Sequence, residues 1–287
     1  MSYALLSAAR VGRHLDPQIR HTRPVTAHAP HVAPPRSVCQ RDSSHVRPSR
    51  ARWFAAWGVH TLTASGVVWG FAALLAIGRD EYRWAFAYLM VATAIDAIDG
   101  TLARWVRAKD VLPSFDGTLL DNLIDYLNYA LVPAMLLHEA QLLPTSCALL
   151  GSASVCLASA YQFCQADAKT SDHFFVGFPS YWNVLAFYFF ITELDLRVNL
   201  GIVACCVLFV FIPVKWVYPS RTEKFRSVTV TATAIWAILC IVMLMQYPTP
   251  TPWLLPSSLV YVIYYIGISV FLNLSAKRTP LSTSSSP

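Results

Sequence analysis

The chain has 287 residues, of which 55% are hydrophobic and only 13% charged, with a mean hydropathy of +0.46. That composition lies well outside the soluble globular range and indicates an integral membrane protein. The formal net charge of +6 then reflects topology and attraction to anionic headgroups, and nucleic acid is excluded as a partner.

The first element in chain order is a basic tail, residues 1–53. Residues 1–52 carry nine of the 22 Lys and Arg and five of the eight His, against two acids, Asp16 and Asp42. Apolar residues do not recur there with any period, so disorder is expected. Scattered Arg and Ser also resemble an organelle presequence, but Pro interrupts the segment, and both an amphipathic stretch and the apolar region of a secretory signal are lacking.

Apolar runs long enough to cross a hydrocarbon core, about 17–25 residues each, follow near 58–78, 84–103, 118–138, 143–165, 180–194, 198–217, 228–246 and 255–273. The expectation is an all-α polytopic fold of about eight transmembrane helices, since no alternating ten-residue strand pattern of a membrane β-barrel occurs. The fifth run is short, with Pro179 and Asn183 at its start, and is expected to be tilted or broken. Pro133 inside the third run is expected to bend it. Residues 277–287 form a solvated end.

Lys and Arg retained in short cytoplasmic loops set the orientation. With the N-terminus inside, that side holds Arg107, Lys109, Lys169, Lys215, Arg221, Lys224, Arg226, Lys277 and Arg278, whereas the far side holds Arg79, Arg83 and Arg197. Both termini are then cytoplasmic. Six of the seven cysteines, Cys147, Cys156, Cys164, Cys205, Cys206 and Cys240, fall within spans and Cys39 in the tail; none forms a C-x-x-C pair. They read as small apolar packing residues.

Chemistry concentrates between the second and third runs, in DAIDGTLARWVRAKDVLPSFDGTLLDNLID from Asp96 to Asp125. A charge deep in a bilayer costs roughly 2.5–3.5 kcal/mol on insertion scales, so carboxylates here need a function or a partner. On a helix Asp96 and Asp99 share a face, as do Asp121 and Asp125, and a hairpin would bring the two pairs together at one membrane boundary. Gly100 and Ala103 continue the Asp96 face and permit close approach of a ligand or helix. Gly117, Asp121, Asp125 and Asn128 make a polar stripe on the third run. Oxygen donors without nearby Cys or His suit a hard cation such as Mg²⁺ or Mn²⁺. Two ions would balance four carboxylates and form the clamp used in phosphoryl displacement, with Arg104 available for a phosphate oxygen. Simple pairing of these acids with Arg104, Arg107 and Lys109 would explain neither the glycines nor acids on both helices. A carboxylate-lined ion path, as in a transporter or channel, would spread acids through the membrane depth.

The pattern D-x-x-D-G-x-x-A-R followed by G-x-x-x-D-x-x-x-D, here Asp96, Asp99, Gly100, Ala103, Arg104, Gly117, Asp121 and Asp125, resembles the signature of the CDP-alcohol phosphatidyltransferase family. The common family pattern has eight residues between the Arg and the second Gly, whereas this chain has twelve, Trp105 to Asp116. The longer linker is similar to that of the bacterial phosphatidylcholine synthase branch. So are AWGVHTLTASGVVWGF, from Ala56 to Phe71, and SAYQFCQADAKTSDHFFVGFPSYWNV, from Ser159 to Val184.

The resemblance implies a catalytic core over 54–227 and a C-terminal transmembrane hairpin over 228–276. It implies CDP-diacylglycerol as phosphatidyl donor, choline as acceptor and CMP as product, in the bacterial inner membrane with the site facing the cytoplasm. By the same resemblance Asp96, Asp99, Asp121 and Asp125 bind two divalent ions, Mn²⁺ or Mg²⁺, and Asp125 takes the acceptor's proton. Gly100, Ala103, Arg104 and Gly117 line the CDP pocket, and a homodimer is compatible with the family. Serine or inositol phosphate are the alternative acceptors within it.

A quaternary ammonium has no N–H to donate and is held against aromatic faces. Candidates for choline are Tyr161, Tyr181, Trp182 and Tyr188, with Gln165 or Asn183 orienting its hydroxyl, although Tyr and Trp also populate membrane interfaces without ligands. Asp167, Lys169, Asp172 and His173 read as solvated loop residues. His60, His138, Glu193 and Asp195 read as structural or exposed.

Overall fold

The computed structural model describes residues 49–165, 174–217 and 226–278. The tail before Ser49, the loop with Asp167, Lys169, Asp172 and His173, and Arg221 and Lys224 lie outside them.

Helix α1, Arg50–Ile77, and helix α2, Tyr82–Val106, form a hairpin. Ser49 caps the start of α1 through Arg52 N–H. The α2 end is marked by Arg107 in the left-handed region at φ 52°, after which the linker makes one short turn, α3, Ala108–Val111. Asp116 then accepts the backbone N–H groups of Thr118 and Leu119, both at 3.0 Å. This N-cap fixes the start of α4, Gly117–Asp125, by satisfying donors that a helix end otherwise leaves open.

The third predicted span is a composite. α4 runs into a π-helical turn at Tyr126–Leu131 and then into α5, Val132–Glu139, with Pro133 at its beginning. The irregularity expected at Pro133 therefore takes the form of a π turn immediately before it, the kind of single-turn insertion that recurs at functional positions.

Next come α6, Ala148–Cys164, the strand β1, Phe174–Val176, α7, Trp182–Thr192, and α8, Leu196–Val210. β2, Lys215–Val217, precedes α9, Arg226–Gln246, and α10, Leu254–Arg278. Among the described residues, α1, α2, α9 and α10 are long and apolar enough to cross a membrane, and α6, α7 and α8 are shorter apolar helices. Together with the α4–α5 composite they follow the eight predicted runs in order. The architecture is that of an all-α polytopic membrane protein.

Two details depart from the periodicity. The fifth span is only 11 residues, below spanning length, and is a packed interior helix whose Trp182, Ala186, Phe187, Phe189 and Phe190 are buried. The sixth run does not continue to 217: after Val210 the chain opens, and Lys215–Val217 pairs antiparallel with Phe174–Val176. This short ribbon is tied to α10, where Ser269 accepts Val217 N–H, Tyr265 donates to Val217 O, and Asn273 bonds both the N–H and the carbonyl of Lys215. A three-residue strand whose backbone is satisfied by a neighbouring helix carries too few residues to leave a period-two signal.

The main core joins α1, α2, α5, α6, α7, α8 and α9 through residues such as Ala73, Phe86, Leu136, Leu137, Val155, Phe187, Val203 and Met243. Within a bilayer such contacts stabilise by close packing rather than by exclusion of water. A close approach that concerns the site is between α1 and the third rod, formed by α4, the π turn and α5. Gly66 and Gly70 of α1 face Ile124, Leu127 and Asn128; a Cβ on Gly66 would meet Ile124 Cγ2 at 2.8 Å, and one on Gly70 would meet Leu127 Cδ2 at 2.9 Å and also press on Asn128 Oδ1. Gly201 of α8, in contrast, has nothing within 4 Å of such a Cβ. Gly70→Val should therefore destabilise the protein by about 1–3 kcal/mol through overpacking, whereas Gly201→Ala should not. Thermal unfolding of the two purified variants in detergent checks this.

Candidate active site

Three helices build the site, and α1 is the shared support, since it packs on both α2 and the third rod. A pocket between them is lined by Thr63 and Gly66 of α1, Asp96 and Asp99 of α2, and Asp121, Asp125, Asn128 and Tyr129 of the rod. Both carboxylate pairs thus meet. One ligand oxygen from each of Asp96, Asp99 and Asp121 lies within 4.8 Å of the other two. Asp125 lines the same pocket but stands outside that tight trio.

Asp99 is the most enclosed of the acids, 4% exposed. Thr63, whose hydroxyl donates to Val59 O at 3.3 Å, lines the pocket with it, and Arg104 and His60 are the basic groups facing it. Arg104 itself is exposed and donates to Thr101 Oγ1 at 2.9 Å, one turn earlier on the same helix. Ala103 and Gly100 continue this face, and a Cβ at Gly100 would meet only the Arg104 guanidinium, at 3.4 Å. The trio could hold a metal ion. Three carboxylates so close repel one another in a medium of reduced dielectric, and an all-oxygen donor set offsets that repulsion best with a hard divalent cation.

The linker supplies the outer wall. Val111 and Leu112 are buried against Ala56 of α1 together with Ala108. Phe115 packs on Trp57, with ring centroids 5.2 Å apart, and on His60, at 4.6 Å. His60 is 8% exposed, and its ring lies where a Cβ on Gly117 would meet Cε1 at 2.5 Å. Gly117 is thus the residue that allows α4 to start against α1. The reading of His60 as structural or exposed resolves to the former, beside the site.

The π turn changes which side chains complete the rod's polar face. In regular α-helix each residue advances about 100°, which aligns Asn128 with Asp121 and Asp125. A π turn advances less per residue, so Tyr129 swings back toward the acids and Asn128 turns to α1. Tyr129 donates its hydroxyl to Asp96 Oδ2 at 2.7 Å, and Asn128 donates to Gly66 O at 3.2 Å. Tyr129 and Thr63 were absent from the sequence-derived site. The available signals were that Tyr129 lies four residues after Asp125 and that Thr63 sits in the polar block of the first span.

The acceptor candidates do not form one cluster. Trp182 is fully buried, with its indole N–H donated to Ser159 Oγ at 2.7 Å. Tyr188 donates to Ser258 Oγ and accepts from the Trp236 indole N–H. Tyr161 is exposed and packs on Phe211, Gln165 ends α6, and Tyr181 sits edge-on to Tyr265. Asn183 reaches the acid-bearing helix, donating to Thr93 Oγ1 at 3.3 Å, three residues before Asp96.

A polytopic membrane protein with a carboxylate trio between its second and third spans is the class that fold and site define. No protein-family model matches the chain. A protein of Legionella pneumophila named phosphatidylcholine synthase is 40% identical over 77% of this chain and 89% of its own length. Its namesakes in Pseudomonas aeruginosa and Borreliella burgdorferi are 36% and 33% identical, covering 75% and 78% of this chain and 91% and 96% of their own lengths. The chain belongs to the phosphatidylcholine synthase branch of the CDP-alcohol phosphatidyltransferase family.

The two motif glycines should separate in stability. Gly117→Ala drives a methyl into His60 and should cost about 1–3 kcal/mol, while Gly100→Ala, mid-helix with room, should gain up to about 1 kcal/mol from helix propensity. Unfolding temperatures of the two variants in detergent, measured side by side, should move in opposite directions.

Proposed function

We propose that the chain transfers the phosphatidyl group of CDP-diacylglycerol to choline and releases CMP, at the cytoplasmic boundary of the bacterial inner membrane. The observation that carries this reading is the convergence of Asp96, Asp99 and Asp121 within 4.8 Å, from two spans, in a chain of this family. A donor with acyl chains in lipid and a charged pyrophosphate at the boundary matches a polar trio at the end of apolar helices.

The ions would be held by Asp96, Asp99, Asp121 and Asp125. Divalent ions, Mn²⁺ or Mg²⁺, two per site, supply charge stabilisation to phosphate oxygens and acidify a nearby hydroxyl when bound. Arg104, exposed beside Asp99, would hold a phosphate oxygen by a charge-assisted bond. Gly100, Ala103 and Gly117 leave the surfaces on which the CDP group lies, and His60 with Phe115 backs Gly117 from the other side.

The choline oxygen attacks the phosphorus that bears the diacylglycerol. Asp125 takes the hydroxyl proton, the bridging P–O bond to CMP breaks, and CMP carries away the electron pair. The position of Asp125, in the pocket but outside the tight trio, supports its use as the base. For the acceptor, the Asn183–Thr93 contact favours approach along the start of α7, with Tyr181 as the adjacent aromatic face. Trp182 then acts by fixing that helix start in the core. Tyr161, Gln165 and Tyr188 remain candidates on the wider surface of α6 and α7. A homodimer rests on the family resemblance alone.

The test is CMP release from CDP-diacylglycerol by membranes containing the protein with Mn²⁺ or Mg²⁺, offering choline, serine or inositol phosphate in turn. Choline-dependent release is expected. Release with serine or inositol phosphate in place of choline rejects the acceptor, and release with none, from folded protein, rejects the transferase. Asp125→Asn should lower turnover by about 10²-fold or more while retaining part of its divalent-ion binding.

A further inference from the structure

We infer that Tyr129, carried on the π turn, is a positioning residue that orients Asp96 for the divalent ion. The inference rests on the metal reading above.

Three observations converge on it. Tyr129 donates its one hydroxyl proton to Asp96 Oδ2 at 2.7 Å, across the interface between the rod and α2. Tyr129 also lines the same pocket as all four acids. It stands inside Tyr126–Leu131, the described segment whose winding is π rather than α. A carboxylate that belongs to a tight trio must present one oxygen to the ion and keep its plane fixed against the repulsion of its neighbours. A short phenol bond to one oxygen does this: it removes rotation about the Asp96 side chain and spreads part of the negative charge onto a donor. Groups that hold metal ligands in this way commonly change ion affinity by about 10–100-fold when removed.

Asn128 and Tyr129 lie three and four residues after Asp125, spacings that share its helix face, and the π turn carries both. Asn128 bonds Gly66 O of α1. One irregular turn thus gives each neighbouring helix its own polar contact, Asn128 to α1 and Tyr129 to α2.

The experiment uses the full-length protein in detergent and reads Mn²⁺ binding directly, by loss of the free-ion electron paramagnetic resonance signal, together with turnover over a Mn²⁺ series. Tyr129→Phe keeps the ring and removes only the donor. It should raise the Mn²⁺ concentration for half-saturation about tenfold or more, with much of the turnover recovered at saturating Mn²⁺. Tyr126→Phe, which loses a comparable hydroxyl bond to Cys156 O on α6, should leave Mn²⁺ binding as in the parent. Asp96→Asn marks the loss of the ligand itself. Unchanged Mn²⁺ affinity in Tyr129→Phe, with Asp96→Asn weakened, overturns the role of Tyr129 and leaves the metal site standing. An equal shift in Tyr126→Phe overturns it as well, because the effect would then be one of packing. Equal Mn²⁺ binding by the parent and Asp96→Asn rejects the metal site and the inference with it.

Discussion

Carboxylates that lie within 4.8 Å of one another between apolar helices repel, and the rest of this fold is arranged around keeping them there. Repulsion between unit charges at such separations amounts to several kcal/mol at the effective dielectric of a protein surface. Without support the two helices would part. The support comes from α1, which packs against both acid-bearing elements and approaches the rod over Gly66 and Gly70. Close packing of small residues is the main attraction available between helices in lipid, so the glycines of the first span hold together acids that lie on the second and third.

The polar residues of α1 have a place in the same arrangement. Thr63 lines the pocket beside Asp99, Gly66 gives its carbonyl to Asn128, and His60 fills the space left by Gly117. All lie on the α1 side that the two acid-bearing elements share. The first span therefore reads as apolar by composition and as a scaffold by position. The twelve-residue linker adds to it. Its turn α3 buries Val111 and Leu112 against Ala56, and Phe115 closes over Trp57 and His60. Its length beyond the common pattern is thus used in a packed wall beside the acids.

Much of this was legible in the residues. Hydropathy over windows of spanning length gave the order of helices, because composition alone carries that information. The acid spacings of three and four predicted shared faces, and the structure brings both pairs into one pocket. What remained hidden depended on departures from regular winding. The π turn at Tyr126–Leu131 has no composition of its own, so nothing in the spacing showed that Asn128 turns to α1 while Tyr129, four residues after Asp125, faces the acids. The ribbon of β1 and β2 was hidden for a related reason: its three-residue strands pair with each other, β2 takes further hydrogen bonds from α10, and neither needs an alternating pattern. Trp182 illustrates a third limit, since an aromatic in a ligand-rich segment and an aromatic in the core look alike until burial is known.

In the proposed reaction, acceptor choice and phosphate chemistry are assigned to different parts of the molecule. The acids, Arg104 and the glycines all lie on α2 and α4, held by α1 and the linker. The residues that could discriminate an alcohol lie on α6, α7 and the segments around them. Asn183 of α7 joins the two groups by its bond to Thr93 of α2, one turn from Asp96. Asn183 is itself constrained, since its Oδ1 accepts Val184 N–H at 2.9 Å, and α7 is anchored just before it by Trp182 in the core. A helix start fixed in this way can register the position of an acceptor against the acids to within a side chain's freedom. The acid scaffold of α1, α2 and the rod can then stay unchanged while the α7 start varies with the alcohol, which is the division expected of a family sharing one motif across several acceptors.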